Sequence, residues 1–229
     1  MKLYEVIERI EFNIQSANDL SGKAINSIFS KKNIVYALQT ALNYYSQHTL
    51  GLEGIKSYSI VSTQRSMPEP EDAIRTSTYR GFFCIISSLK YLLRLKQFNQ
   101  INTDYYGNSY TGIPADVYLW ENEINIFPLI NENYASTTLV AAAGLTATDT
   151  TIVVADSAGF LQFQGRFQIG DETISYAQCD FATHTFTGCK RGVENTTAAD
   201  HVNGSTVDNK NFYVYYYKNH WIIPLLNSS

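Results

Sequence analysis

Residues 117–131 read VYLWENEINIFPLIN, and residues 214–227 read VYYYKNHWIIPLLN. With one gap, about half of the positions are identical, with Val, Tyr, Asn, Ile, Pro, Leu and Asn recurring in order. In the first copy the apolar residues alternate through Val117–Trp120. They pause at Glu121-Asn122 and resume through Glu123–Phe127, the pattern of two strands joined by a tight turn. Asn tolerates positive φ and so serves such a turn, although Asn-Gly would signal it more strongly. In the second copy Tyr213–Tyr217, Lys218-Asn219 and His220–Ile223 repeat the layout. Each copy ends in proline, which cannot continue a central ladder. The echo predicts two hairpins lying side by side in one sheet that an intervening segment interrupts.

That segment, 136–208, is rich in Thr, Ala and Gly and reads as all-β. Thr151–Val154 is one strand. Gly165–Ile169 and Glu172–Tyr176 flank Gly170-Asp171 as a hairpin, and Thr183–Thr187 is a further strand. Residues 193–204 read as an ordered loop leading to Ser205–Val207. The predicted organisation is a small all-β module, 136–208, carried within a domain made of 1–135 and 209–229.

The front of the chain reads as helical. Leu3, Val6, Ile7, Ile10 and Ile14 recur at helical spacing. Asn33 is placed to cap a helix bearing Ile34, Ala37, Leu38, Ala41, Leu42 and Tyr45. Ile55–Val61 suits extended chain. Pro68-Glu69-Pro70-Glu71-Asp72 has the proline and acids of a helix start. The run from Glu71 to Gln100 then reads as one helix of roughly 45 Å, with Cys84 buried in it and Gly81 marking a kink or close contact. The expected fold class is α+β: an N-terminal helical bundle with β-hairpins, plus the inserted all-β domain.

Composition narrows the function classes. Aromatics make up 14% of the 229 residues, 17 of them tyrosine, which suits contact surfaces as well as plain strands. Residues 1–100 hold 12 Lys or Arg and 8 Asp or Glu, about +4, whereas the remainder holds 5 and 13, about −8. Neither part has a dense basic run, which argues against a dedicated nucleic-acid binder. Cys84, Cys179 and Cys189 are too few for a disulfide framework. Cys179 and Cys189 flank a hairpin and could pair, but no secretory signal points to an oxidising compartment. The sequons at Asn195, Asn203 and Asn227 therefore read as accidental. No apolar run is long enough to span a membrane.

Catalytic signals are weak. His48, His184, His201 and His220 lack metal-ligand spacing, and there is no Cys-x-x-Cys, no phosphate-binding loop and no dinucleotide fingerprint. Asp171-Glu172 falls at a hairpin turn and Glu69, Glu71 and Asp72 at a helix start, so neither cluster requires acid–base work. Asp200-His201 with Cys189 would form a triad only by geometry that sequence does not supply. The chain reads as a non-enzyme without cofactor or metal.

Tyr118, Trp120, Asn122, Ile124, Ile126 and Pro128, following a helical region, resemble the strand pair of the head–tail connector proteins of tailed bacteriophages, also called adaptor or head-completion proteins. The insert is similar to a β-module common in phage virion and tail proteins. It has Gly-Asp-Glu-x-Ile-x-Tyr at 170–176, Phe186-Thr-Gly188 followed by Arg191-Gly192, and then Thr196-Thr-Ala-Ala199, His201, Gly204 and Val207. The resemblance implies a structural virion protein, assembled in the bacterial cytoplasm, that joins portal to tail in a (short-tailed) phage. Its partners would be itself in a twelve-fold ring, the portal, the next tail ring or tail tube, and passively the DNA in the channel. Interface residues would come from the hairpins: Tyr118, Trp120, Phe127, Tyr213, Tyr215, Tyr217, Trp221, Leu225 and Leu226. The alternative is a tail or baseplate protein whose β-module binds a host receptor or glycan, and the helical front half argues against it.

Overall fold

The computed structural model describes residues 36–42, 44–45, 53–74, 79–97, 100 and 110–218. Two compact units divide the chain: 1–53 with 72–77 and 217–229, and 54–71 with 78–216. In the first unit the described residues include the single short helix, over 36–42 and 44–45, and an antiparallel bridge between Ala73 and Lys218. Tyr36, Ala37, Tyr44 and Tyr45 are exposed on that helix and Gln39 is buried, so the predicted apolar face is not the covered one. The predicted helix through Leu3–Ile14 lies outside the described residues. Among the described residues no helix is long and apolar enough to cross a membrane.

The second unit is β throughout. Its first strands are β1 (Glu53–Tyr58), β2 (Ser66–Pro68), β3 (Tyr79–Ile86) and β4 (Leu89–Leu95). Next come β5 (Thr111–Gly112), β6 (Asp116–Trp120), β7 (Glu123–Phe127) and β8 (Leu129–Ile130). The intervening segment supplies β9 (Ser136–Thr138), β10 (Thr151–Val153), β11 (Arg166–Ile169), β12 (Glu172–Ser175), β13 (Gln178–Asp180), β14 (Thr185–Thr187), β15 (Lys190–Val193) and β16 (Thr206–Asn209). The last strand is β17 (Phe212–Tyr217). A seven-stranded sheet runs β1-β17-β3-β4-β6-β7-β2 and curls into a half-barrel. A five-stranded sheet, β15-β12-β11-β16-β9, and a three-stranded one, β10-β14-β13, draw their strands from 136–209. β5 and β8 form a short parallel pair.

The predicted helical bundle is therefore wrong. Where a 30-residue helix was expected, β3 and β4 form a hairpin in register from Phe82↔Leu93 to Ile86↔Leu89. Ser87 (φ 48°) and Ser88 (φ 64°) make its turn, both in the left-handed region as a type I′ turn requires. Two serines are an uncommon choice there, so the usual Asn-Gly or Asp-Gly signal is missing. Phe82 through Ile86 are all buried because both faces of β3 are covered there. A strand covered on both faces reads as an unbroken apolar run, which periodicity does not separate from a buried helix. Cys84 is buried as expected, but on a strand. Gly81 has open space where a Cβ would stand, so it marks no close contact, and the β3–β17 register shifts beside it. The expected helix start is an irregular segment in which Glu69 accepts the Tyr79 hydroxyl at 2.6 Å.

The hairpin at 117–127 forms as β6 and β7, with Glu121 (φ 53°) and Asn122 (φ 65°) in its turn. Its supposed twin does not lie beside it. β17 pairs with β3, and β3 and β4 separate it from β6. The second strand of that twin, His220–Ile223, lies outside the described residues. β1 occupies most of the segment read as extended.

Candidate functional site

The nine expected interface residues are not gathered on one surface. Trp120, at the β6–β7 tip, is 46% exposed. Tyr118 is buried, Phe127 is half-buried with Tyr110 at 6.2 Å, and Tyr213 is buried and stacked on Phe83 at 4.6 Å. Tyr215 is half-buried beside Phe83, and Tyr217 is half-buried at the end of β17. Trp221, Leu225 and Leu226 lie outside the described residues. The sequence reading missed the exposed Leu89, Leu92 and Leu95 of β4. Period two in LKYLLRL carries the signal for Leu92, which shares a face with Lys90 and Arg94, whereas Leu89 and Leu95 fall on the face of the buried Leu93.

Charged chemistry is concentrated in the module. The turn at Gly170 (φ +57°) closes the β11–β12 hairpin and places Glu172 at the start of β12, where it is buried. Arg191, on β15, donates from Nε to Glu172 Oε1 at 2.8 Å and from Nη2 to Oε2 at 2.7 Å. The amides of Gly192 (3.0 Å) and Ala199 (3.2 Å) and Nε2–H of His201 (2.7 Å) donate to the same carboxylate. Burial alone would raise the pKa of Glu172. The hydrogen bonds from Arg191, His201 and Ala199 outweigh it and bring the group down to about 2.

The same guanidinium also donates to the carbonyls of Thr146 and Ala199. Leu145 and His201 exchange backbone bonds at 2.8 Å, and Asp200 accepts the Ala147 amide at 2.7 Å. Glu172 and Arg191 thus pin the loop 193–204 and the segment 141–147 to the five-stranded sheet. Five donors on two carboxylate oxygens leave no free lone pair for proton transfer, so the cluster is built to hold a loop.

This geometry accounts for the module's motif residue by residue. A Cβ on Gly165 would stand 2.0 Å from the Tyr176 hydroxyl, which donates to the Leu161 carbonyl at 2.9 Å. Gly192 (φ +62°) passes close to the 196–198 backbone, where a Cβ would meet the Ala198 nitrogen at 2.9 Å. Phe186 and Val207 are fully buried with Phe160, Phe167 and Ile174. The Asp171-Glu172 and Asp200-His201 pairs, set aside in the sequence reading, contribute Glu172 and His201 to one cluster, which spacing alone did not reveal.

A second cluster ties the module to β1. Glu194 is engaged by Arg166, by the Ser57 hydroxyl, and by the Ser57 amide at 3.1 Å, with Lys56 at 3.7 Å. Arg166 Nη1 also donates to the Ile55 carbonyl at 3.3 Å, and its amide donates to the Tyr213 hydroxyl at 2.8 Å. Burial pushes the Tyr213 phenol well above its usual pKa.

The cysteines are free thiols, so Cys179 and Cys189 do not pair. Burial pushes Cys84 and Cys189 up to about 12 and raises Cys179 as well, which disfavours the nucleophilic thiolate. The conceivable Cys189–His201–Asp200 triad is not assembled. His201 Nε2 is committed to Glu172, and Asp200 to a backbone amide. Among the described residues no group of three or more His, Cys, Asp or Glu could hold a metal ion. The chain matches no protein-family model, no curated protein and no solved structure.

Proposed function

We propose that the protein is a structural component of a tailed-bacteriophage particle, a ring subunit that joins the portal to the tail. The observation that carries the reading is the β6–β7 hairpin, where the residues of the connector pattern sit on a tight strand pair with Trp120 at its tip. The exposed Leu89 and Leu92 on β4 add apolar surface of the kind that buries against another protein rather than a small ligand. The saturated Glu172 cluster and the raised thiols favour a non-enzymatic role. A helical bundle is no part of this proposal. Light scattering and negative-stain imaging of the protein mixed with portal rings test it. An added ring on the portal is expected, and a portal that stays bare overturns it.

A second reading, a tail or baseplate protein that binds a host receptor or glycan, gains from one observation. Within the front half whose helices argued against it, residues 79–95 form a β-hairpin. Binding of the labelled protein to host cells, with no affinity for the portal, would favour this reading over the first.

A further inference from the structure

Among the described residues, three terminal strands have blunted edges. The outward groups of terminal strand β1, the Ile55 carbonyl and the Ser57 amide, are taken by Arg166 and Glu194. At the other end of the sheet, β2 has three residues and ends in Pro68. In the module, the Cys179 amide on β13 goes to the Gln162 carbonyl at 2.8 Å.

β4 is different. It pairs with β3 along Leu89–Leu93, but its parallel ladder to β6 covers only Arg94↔Asp116 and Leu95↔Val117. The amides of Arg94 and Lys96 reach the carbonyls of Ala115 and Val117 on that side. By the alternation of a strand, the backbone groups of Lys90 and Leu92 point the same way. Among the described residues no backbone group meets them. Leu92 is 76% exposed and Leu89 60%. Lys90 places its ammonium 3.6 Å from the Phe83 ring centroid, and Arg94 follows on the same face, already paired with Asp116 at 3.0 Å. Glu132 lies at this end too, its carboxylate accepting from the Ser87 hydroxyl at 3.1 Å.

The β6–β7 tip has the complementary character. Trp120 is 46% exposed and Glu121 and Glu123 are exposed beside it. Arg94 is level with Asp116; Leu92 stands two residues before that level and Trp120 four residues beyond it. The two surfaces therefore sit at opposite ends of the β4–β6 pair, about 20 Å apart at 3.3 Å per residue. One molecule cannot bring them together, but two copies placed head to tail can. The charge of the whole chain has the same polarity, about +4 over 1–100 and about −8 over the rest.

The geometry points to head-to-tail self-association, in which the Trp120–Glu123 tip of one copy docks on the open flank of β4 in the next. Trp120 covers Leu92, Glu121 and Glu123 face Lys90, and the outward backbone groups of Lys90 and Leu92, unmet among the described residues, gain main-chain partners. Such a contact is heterologous, so it closes into a ring or runs on as a filament. The inference deepens the ring reading and rests on it for closure.

Sedimentation velocity on the full chain tests the contact, with circular dichroism verifying that each variant is folded. The wild type should associate as concentration rises. Leu92→Glu, which buries a charge in place of an apolar side chain, should weaken association by about tenfold or more. Lys90→Glu and Glu123→Lys should each weaken it by about two- to fivefold, and the double variant should return to the wild-type level. A wild type that stays monomeric up to its solubility limit, or a double variant no better than the singles, overturns the proposal. Association with this pattern and no ring on the portal overturns the portal reading alone. A portal ring that forms equally well from Leu92→Glu overturns this contact alone.

Discussion

The module at 136–209 and the seven-stranded sheet are both β, but they treat apolar side chains in opposite ways. In the module, thirteen residues from Leu139 to Val207 form one cluster, each no more than 4% exposed. Its loops are pinned by a buried carboxylate whose acceptors are all used. The sheet buries Phe82, Val117, Ile124 and Val214 but leaves Leu89, Leu92, Leu95 and Trp120 open to solvent. On the proposed reading, the sheet keeps surface for a neighbour while the module core is closed.

Phe186, packed on Phe160, Phe167 and Tyr176 with centroids 4.6–5.2 Å away, should cost about 3–5 kcal/mol when replaced by alanine, measured by denaturant unfolding. Glu172→Gln should follow at about 3 kcal/mol, because Arg191 is left as a buried cation without its counter-charge. Hydrogen exchange should show the loss first in 193–204.

Glu172 has its ordinary pKa of 4.5 in the unfolded chain and about 2 in the fold. Its contribution to stability is therefore fully present above about 4.5 and disappears as pH falls through about 2. The melting temperature should fall across that window, and Glu172→Gln should flatten the decline.

Much of the module was legible because its signals are local. Gly170-Asp171 marks a turn, and the alternation in RFQIG and ETISY has period two. The convergence of Glu172, Arg191, Ala199 and His201 was not legible, since a loop brings them together from three separate stretches. The sheet was read correctly at Val117–Phe127, where polar residues alternate and Asn122 marks the turn. It was misread at Tyr79–Leu95, where Phe82–Ile86 is covered on both faces and a Ser-Ser turn carries no glycine or asparagine. Leu92 was hidden for the same reason, because its exposed face exists only once the hairpin does. β17 resembles β6 in sequence yet pairs with β3, so the two strands obey the same local rules without being neighbours.

At the module's junction with β1, Glu194→Ala should cost about 2 kcal/mol, since it strands Arg166 and frees the Ser57 amide. Faster exchange at Ser57 and a rise in aggregation from the opened strand edge would report it. The smallest effect is expected at the open surface. Leu92→Ser should change unfolding free energy by less than about 0.5 kcal/mol, in contrast to any apolar residue of the module core.

Hydrogen–deuterium exchange on the wild type as a function of protein concentration addresses the contrast itself. The amides of Lys90 and Leu92, and those of the Trp120–Glu123 tip, should gain protection as concentration rises, while 136–209 stays unchanged. Protection that appears in the module instead, or exchange in β4 that is independent of concentration, would contradict the division between a closed module and an open sheet.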